Sequence, residues 1–452
     1  MDKNLNGFTF YAHNLGRFDS VFVIKDLITN KNIKITPIWK DNTILSLSLE
    51  LNEFKIVLLN SLQLIPGSLS DILKSFNTTV QKGYFPYSFV NKDNLKYIGP
   101  KPSKDFYNNI SDLEYSNISD NNWDLKGETL KYLKSDIEGL LEVITKFRDN
   151  IFNKYNLNIT KYKTLPSLAI SVYGSSYLPN NLKSDLKLIK GELESELRSA
   201  YFGGNVGVFI NLISNGYHYD LNSQYSKAML NDMPVGDPVL SLETDLNKIF
   251  GFVYGEIICP DENILQVPFI QYRDSYKNLV SCPRGKFKRL IFSQEIKYAL
   301  KYGYTINIEY CYQFKRGKDL FKDYIIDHYK DKESSKDQVQ RTVAKLFLNS
   351  LYGRFGMKEI EDTLKIVSKS EAETLDKISN IYVISELTND RYIVKYSGQI
   401  SDNIRRLYKN DPLVMENKTF SKKEMREFGI VKKYPHPQLF ILLQQYPHMQ
   451  GL

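Results

Sequence analysis

Cysteine is scarce in this chain, with three in 452 residues: Cys259, Cys282 and Cys311. Their separations fit neither a paired zinc-ligand spacing nor an even-numbered disulfide framework. A reducing compartment is the expected setting. No apolar run approaches the roughly 18–20 residues needed to cross a bilayer, so no membrane partner is expected. The opening Met1-Asp2-Lys3-Asn4 has the pattern of neither a secretory signal nor an Arg/Ser-rich transit peptide. Internal repeats are lacking as well, which sets aside solenoid and propeller architectures.

What is present is a chain able to build cores. Hydrophobic residues make up 42% of it, which excludes a disordered chain. Its length leaves room for about three domains of ordinary size. Sixty Lys and Arg against 52 Asp and Glu give a net charge of +8, which suits a polyanionic partner if the excess is clustered. Heavy use of Lys, Asn, Ile and Tyr fits an AT-rich genome, such as that of an organelle or a plasmid.

To about Lys190 the pattern mixes short strands and helices. A strand is expected from Gly7 to His13 and a helix from Phe18 onward. Further helices are expected over Asp71 to Phe76 and Gly127 to Phe147, with a loop from Asn108 to Asn122. The Pro/Ser/Asn-rich run from Ser175 to Lys183 reads as a boundary. A helix from Glu192 leads into Tyr201-Phe202-Gly203-Gly204. Two strands are then expected, Val206 to Ile210 and Tyr217 to Asp220. From Phe250 to Phe314 the pattern is α+β, with strands at Val253 to Ile258 and Ile306 to Tyr312 and a helix from Ser293 to Tyr302. After Met357 the chain turns polar and its pattern is lost.

The most informative stretch is Gln338 to Gly353, a helix with two faces. Val339, Val343, Leu346 and Ser350 recur at helical spacing and form the expected packing stripe. Gln338, Arg341, Lys345, Asn349 and Tyr352 recur on another face, and Gly353 is expected to end the helix. An ordinary surface helix would also carry such cations. The run Lys345-x-x-x-Asn349-Ser350-x-Tyr352-Gly353 resembles the finger helix of family B DNA polymerases. Upstream, Asp220 stands before Leu221-Asn222-Ser223-Gln224-Tyr225. Alone it reads as a helix N-cap; beside the finger helix it resembles the family's first palm motif, Asp-x-x-Ser-Leu-Tyr-Pro. The departures are Gln224 and Ser226, and neither removes a ligand.

The resemblance extends to the protein-primed type of mitochondria, linear plasmids and phages. Arg198 with Tyr201-Phe202-Gly203-Gly204 is similar to its linker between exonuclease and palm, where the glycines let template DNA approach. Tyr11-Ala12-His13-Asn14-Leu15-Gly16-Arg17-Phe18-Asp19 resembles its second exonuclease motif and Tyr132-Leu133-Lys134-Ser135-Asp136 its third. Ser61-Leu62 and Lys82-x-x-Phe85 fit single-strand-binding motifs of that domain. The implied fold is a multidomain α+β and α/β chain. An incomplete ribonuclease-H-like 3'-5' exonuclease would be followed by a partial palm, a terminal-protein-region insertion and fingers. The implied segments are 1–190, exonuclease-like; 191–242, palm; 243–322, insertion; 323–357, fingers; 358–430, a post-finger region; and 431–452, an atypical tail.

The resemblance also implies roles. Asp220 and the Leu221 carbonyl would hold Mg²⁺ in a two-metal site, Arg341 and Lys345 would grip the triphosphate of a dNTP, and Tyr225 would exclude a 2'-hydroxyl. Asn349 and Tyr352 would line the nascent base pair. Asp19 and Asp136 would hold exonuclease metals, Tyr132 would orient water, and Asn14, Phe18, Ser61, Leu62 and Lys82 would touch the primer strand. Arg198, Tyr201, Gly203 and Gly204 would meet DNA. Two motifs are absent: no Asp-x-Glu precedes Tyr11, and no Tyr-x-Asp-Thr-Asp follows the finger helix. The chain therefore reads as the middle of a polymerase with both ends lost, by a frameshift or early stop near Val431. The implied activity is template-directed DNA synthesis by a monomer on primer-template DNA, primed by a terminal protein, in mitochondria and organelle-encoded. The competing expectation is a DNA-binding remnant without catalysis.

Overall fold

The computed structural model describes residues 3–17, 19–40, 43–118, 122–186, 189–208, 211–274, 279–357 and 362–400. In chain order, strand β1 (Thr9–Ala12) leads to helix α1 (Asp19–Leu27) and then to β2 (Ile33–Lys40), β3 (Thr43–Leu51) and β4 (Phe54–Asn60). These strands form a sheet in the order β1-β4-β3-β2. β1 runs parallel to β4, with Thr9 opposite Val57 and Ala12 opposite Asn60; the other pairs are antiparallel. Period-two placement of Ile33 and Ile35, and of Leu47 and Leu49, turns one face inward. With Ile28 and Ile44 these residues make one core.

Helix α2 (Leu69–Ser75) begins at Ser68, whose side chain accepts from Asp71 N. The expected loop 108–122 contains a short helix, α3 (Asp112–Ser116), nucleated by a Ser111/Glu114 capping box. A two-residue ladder pairs β5 (Ile98–Gly99) with β6 (Trp123–Asp124). Helix α4 (Leu125–Tyr155) outruns the expected Gly127 to Phe147 at both ends. Asp124 caps it, accepting from Lys126 N and Gly127 N, and left-handed Asn156 (φ 55) closes it. α4 packs on α2 at Gly139, where an added Cβ would lie 2.7 Å from a Leu73 methyl. Phe147 meets Phe76 edge-on nearby.

Helices α5 (Leu165–Val172) and α6 (Gly191–Ser199) follow. The described residues from 201 to 223 then carry no strand, which corrects the strands expected at Val206 to Ile210 and Tyr217 to Asp220. Alternating apolar residues make a strand only where a neighbour offers a hydrogen-bond ladder. Among the described residues none does so here, and Val206, Leu212, Tyr217 and Tyr219 stand exposed. Phe209 and Ile210 lie outside the described residues.

Helix α7 (Gln224–Ala228) and strand β7 (Met233–Ser241) lead to β8 (Gly251–Ile258). The short pair β9 (Tyr272–Arg273) and β10 (Val280–Ser281) comes next, then β11 (Lys286–Phe292), α8 (Ser293–Leu300) and β12 (Thr305–Gly317). The antiparallel order β11-β8-β12-β7 agrees with the α+β reading of this stretch. Its core holds Val253, Ile257, Phe287, Ile291, Ile296 and Tyr304.

Helix α9 (Lys322–Ser334) precedes α10 (Gln338–Phe355). α10 runs through Gly353, which is not at positive φ and does not stop it. Its buried face is Val343, Ala344, Phe347, Leu348, Leu351 and Phe355. The expected stripe shares only Val343 with this face: Val339, Leu346 and Ser350 are half-buried. The aromatic and leucine side chains reach the core and set the rotation of the helix. Past Met357, where the sequence shows no pattern, β13 (Asp362–Ser368), α11 (Lys369–Ile378), β14 (Ser379–Thr388) and β15 (Arg391–Ile400) build a sheet in the order β13-β15-β14.

These elements fall into two compact units. The first takes the described residues up to Leu168, then Lys332–Leu346, then the described residues beyond 359. The second takes Ala169–Asp331 and residues 347–357. The architecture is a mixed α+β, multidomain one. No described helix is long and apolar enough to cross a membrane.

Candidate functional site

In the second unit the chemistry gathers where α6, the linker after it, α7 and the end of α10 meet. Arg198, in the last turn of α6, pairs with Glu194 at 2.8 Å and donates to the Gly356 carbonyl at 3.1 Å. The Tyr201 phenol lies against Gly356, where an added Cβ would stand 2.6 Å from the hydroxyl; only glycine leaves room for this contact. Burial pushes the Tyr201 pKa up, Arg198 draws it back and Tyr225 raises it further. Gly203 has open space where a Cβ would be, and Gly204 meets only the Tyr225 hydroxyl, at 4.0 Å.

Tyr225 on α7 stacks on Tyr352 of α10, with ring centroids 4.5 Å apart and planes 13° from parallel. Burial first, then Tyr225 and Tyr201, pushes the Tyr352 phenol up. Thus three phenols from three separate segments stand close together. Ser223, just before α7, adopts the left-handed region at φ 53, which turns the chain sharply between Asp220 and Tyr225. Asp220 and Leu221 are exposed on the coil ahead of that turn. On the stretch of α10 that belongs to the first unit, Gln338, Arg341 and Lys345 are exposed and Arg341 donates to Gln338 at 2.6 Å; on the stretch in the second unit, Asn349 is exposed.

A second cluster lies in the first unit. His13 follows β1; its Nε2 is 2.9 Å from the Gly67 carbonyl and its Nδ1 3.1 Å from Ser61 Oγ. A carbonyl only accepts, so Nε2 carries the proton and Nδ1 accepts from the Ser61 hydroxyl. Burial holds the His13 pKa below its usual value, and Lys82 adds to that; the Gly67 carbonyl and Asp136 oppose it. Burial likewise raises the Asp136 carboxyl, while Lys82, Tyr132 and His13 draw it back. Its Oδ1 is buried without a hydrogen-bond partner, as are Asn14 Oδ1 and the Tyr11 hydroxyl, the latter pushed up to about 12 by burial.

Tyr132 sits among aromatic rings. Tyr87 donates to its hydroxyl at 2.8 Å, Phe85 lies 5.3 Å away and Lys82 Nζ stands 5.8 Å over its ring. Burial and the Tyr87 bond push the Tyr132 pKa strongly up. The structure thus brings Lys82, Tyr132 and Asp136 together around His13. Ser61 is buried beneath that histidine, and Leu62 is half-buried beside it. Asp19 is exposed at the start of α1, and Phe18 lies outside the described residues. Sequence reasoning passes over Tyr87 and gives His13 no role. The aromatic run Tyr84-Phe85-x-Tyr87 just after Lys82 is the available signal for the first.

Metal fit can be tested on the donors. Among the described residues, no three His, Cys, Asp or Glu side chains gather so as to hold an ion. Asp220, Asp19 and Asp136 therefore belong to no such group among the described residues.

Comparison with known proteins follows the same lines. The profile of the family "DNA polymerase type B, organellar and viral" matches residues 3–436. A "Probable DNA polymerase" of Agaricus bitorquis is 39% identical over 421 residues, covering 90% of this chain and 52% of that protein. Its counterpart in Ascobolus immersus is 35% identical over 407 residues, covering 85% and 33%. The chain thus spans between a third and about half the length of these curated relatives. Among solved structures, Phi29 DNA polymerase complexed with primer-template DNA superposes with a TM-score of 0.57 at 20% identity. That match covers 87% of this chain and 64% of that one, a likeness of fold. By the extent of the profile match and the identity to the fungal relatives, the chain belongs to the type B DNA polymerases of organelles and viruses.

Proposed function

We propose that this chain carries the nucleotide- and template-facing part of a DNA-directed DNA polymerase of the protein-primed type. The observation that carries the reading is the Tyr225–Tyr352 stack, which joins the Asp220 turn to the finger helix across 127 positions of sequence (352 − 225). Each ring of the stack keeps one free face and its edges, against which a nucleotide's sugar and base would lie. Tyr225 would block a 2'-hydroxyl, and Tyr352 with Asn349 would line the nascent pair. Arg341 and Lys345 would meet the triphosphate, where fixed cations stabilise developing phosphate charge. In the reaction the primer 3'-oxygen attacks the α-phosphate of a dNTP and pyrophosphate leaves. Arg198, Tyr201, Gly203 and Gly204 would face the template.

The family draws on divalent ions, with two Mg²⁺ as the expected pair, and Asp220 with the Leu221 carbonyl would be one side of that site. The described donors do not complete it, so the roles assigned to this chain are those of its own cations and rings. In the first unit, Tyr132, Asp136, Lys82, Asn14 and Leu62 would meet a frayed primer strand, with Tyr87 bracing Tyr132. Ser61, buried beneath His13, would act only by holding that histidine. This is the exonuclease-like part. The segments 1–190, 191–242, 243–322 and 323–357 would serve as exonuclease-like, palm, insertion and finger parts. A terminal protein as primer, a monomeric state and a mitochondrial or linear-plasmid setting complete the reading.

Primer extension by the purified chain with dNTPs and Mg²⁺ tests it. Extension that disappears in Asp220→Ala supports the proposal. Binding of primer-template without extension would overturn it and leave a DNA-binding remnant.

A further inference from the structure

Phe202 lies between Tyr201 and the two linker glycines and is 2% exposed. The Arg289 guanidinium carbon stands 4.5 Å from its ring centroid and that of Arg273 5.5 Å. Arg289 belongs to β11 and is itself 7% exposed. Its Nε donates to the Leu290 carbonyl at 3.1 Å, one terminal nitrogen donates to the Gln271 carbonyl, and the other meets the Glu295 carboxylate at 3.4 and 3.5 Å. Every guanidinium nitrogen is engaged while the flat face is left to Phe202. A cation held over a ring out of water binds it more firmly than an exposed one does. Glu295 lies in the first turn of α8, where the helix terminus also favours its charge.

On the far side of the glycines, Asn205 Nδ2 donates to Cys282 Sγ at 3.4 Å. Gly203–Gly204 therefore hang between two anchors, Phe202 on Arg289 and Asn205 on Cys282, while the space over Gly203 stays open.

We propose that Arg289 is a positioning residue: through Phe202 it fixes the course of Gly203–Gly204, so that the β11-β8-β12-β7 sheet sets how the linker meets DNA. The DNA part rests on the proposed role of these glycines as template contacts; the clamp itself does not.

The test uses the full chain carrying Glu295→Gln throughout, so that no variant strands a buried carboxylate. Arg289→Met keeps the stem and removes the cation, Phe202→Leu keeps bulk and removes the π face, and Arg289→Lys keeps a cation. Two quantities are measured. One is the thiolate-specific rate of iodoacetamide alkylation of Cys282, the one cysteine of the three that is not buried. It is taken from each variant's full pH–rate profile, because the Arg289 cation itself draws that thiol's pKa down. The other is the Kd for primer-template DNA. Arg289→Met and Phe202→Leu should each speed alkylation and weaken DNA binding about 5- to 30-fold. Together they should do no more than either alone, and Arg289→Lys should recover most of the loss. Should Arg289→Met not fold, Phe202→Leu carries the same test from the other side. Alkylation unchanged in these variants, or effects that simply add, would overturn the clamp. Coupled changes in alkylation with unchanged Kd would keep the clamp and overturn the linker's role at DNA.

Discussion

Two side chains make the residue-scale case, Tyr225 and His13. With its ring stacked on Tyr352, Tyr225 has one face committed, and the proposed role puts its edge beside the sugar of an incoming nucleotide. Cutting it back in Tyr225→Val opens space where a ribose 2'-hydroxyl would go. Ribonucleotide incorporation relative to deoxynucleotide should rise by about 10- to 200-fold, the range that small steric changes in a pocket command. Competition between rNTP and dNTP in single-nucleotide extension measures it; an unchanged ratio would rule out the gate. His13 is the pH-sensitive counterpart. Burial depresses its folded-state pKa, so the unfolded chain binds a proton first as pH falls. Stability is therefore fully present above the unfolded value of roughly 6.5 and is lost progressively as pH drops from there through the folded value. Thermal melts between pH 7.5 and 5 should show this decline, and His13→Gln should flatten it. An equal slope in the variant would clear His13 of the effect.

At the scale of the element, α10 has separable faces. Phe347 is buried, and its backbone carbonyl accepts the Tyr324 hydroxyl at 3.0 Å. Phe347→Ala should cost about 3–5 kcal/mol of stability. Lys345, exposed on the polar face, should change stability by no more than about 0.5 kcal/mol when cut to alanine. Yet Lys345→Ala should raise the KM for dNTP by about tenfold or more, as loss of a phosphate-gripping cation does. Denaturant melts beside steady-state kinetics would separate the two, and a stability loss from Lys345→Ala would merge the faces again. The polar face was legible because exposed residues at i, i+3 and i+4 need no tertiary partner to be seen. The buried face was not: Val339, Leu346 and Ser350 fit the period as well as Phe347 and Leu351, and only packing decides between them. The segment around Val206 and Tyr217 failed for the opposite reason, since strand alternation is visible in a sequence whether or not a neighbour exists to pair with it. The sheet after Asp362 escaped notice because its signal lies in pairing across the chain, Arg391 opposite Ser368, and not in local pattern. Motif order located the two clusters; Tyr87, whose part is to hold another side chain, carries no signature of its own.

For the molecule as a whole, the described stretch from 203 to 222 is the most open length of chain inside a structured unit. Leu212, Tyr217 and Tyr219 are 90%, 89% and 86% exposed. Chymotrypsin should cut there before anywhere in the sheets, as exposed, unpaired backbone invites. If the linker follows DNA, saturating primer-template should slow that cleavage several-fold; mass spectrometry of the first fragments reads both results, and equal rates with and without DNA would place the nucleic acid elsewhere. The first unit has a different consequence, one of timing. The Arg391 guanidinium donates to the carbonyls of Asn30, Lys31 and Ile33, and Ile366 and Leu387 pack on the core of the N-terminal sheet. The partners of the first bond stand 361 residues apart. A ribosome adding about 5–20 residues per second needs on the order of 20–70 s to cross that gap. For that long the newborn sheet waits with part of its apolar edge uncovered, while the whole middle unit emerges and folds in between.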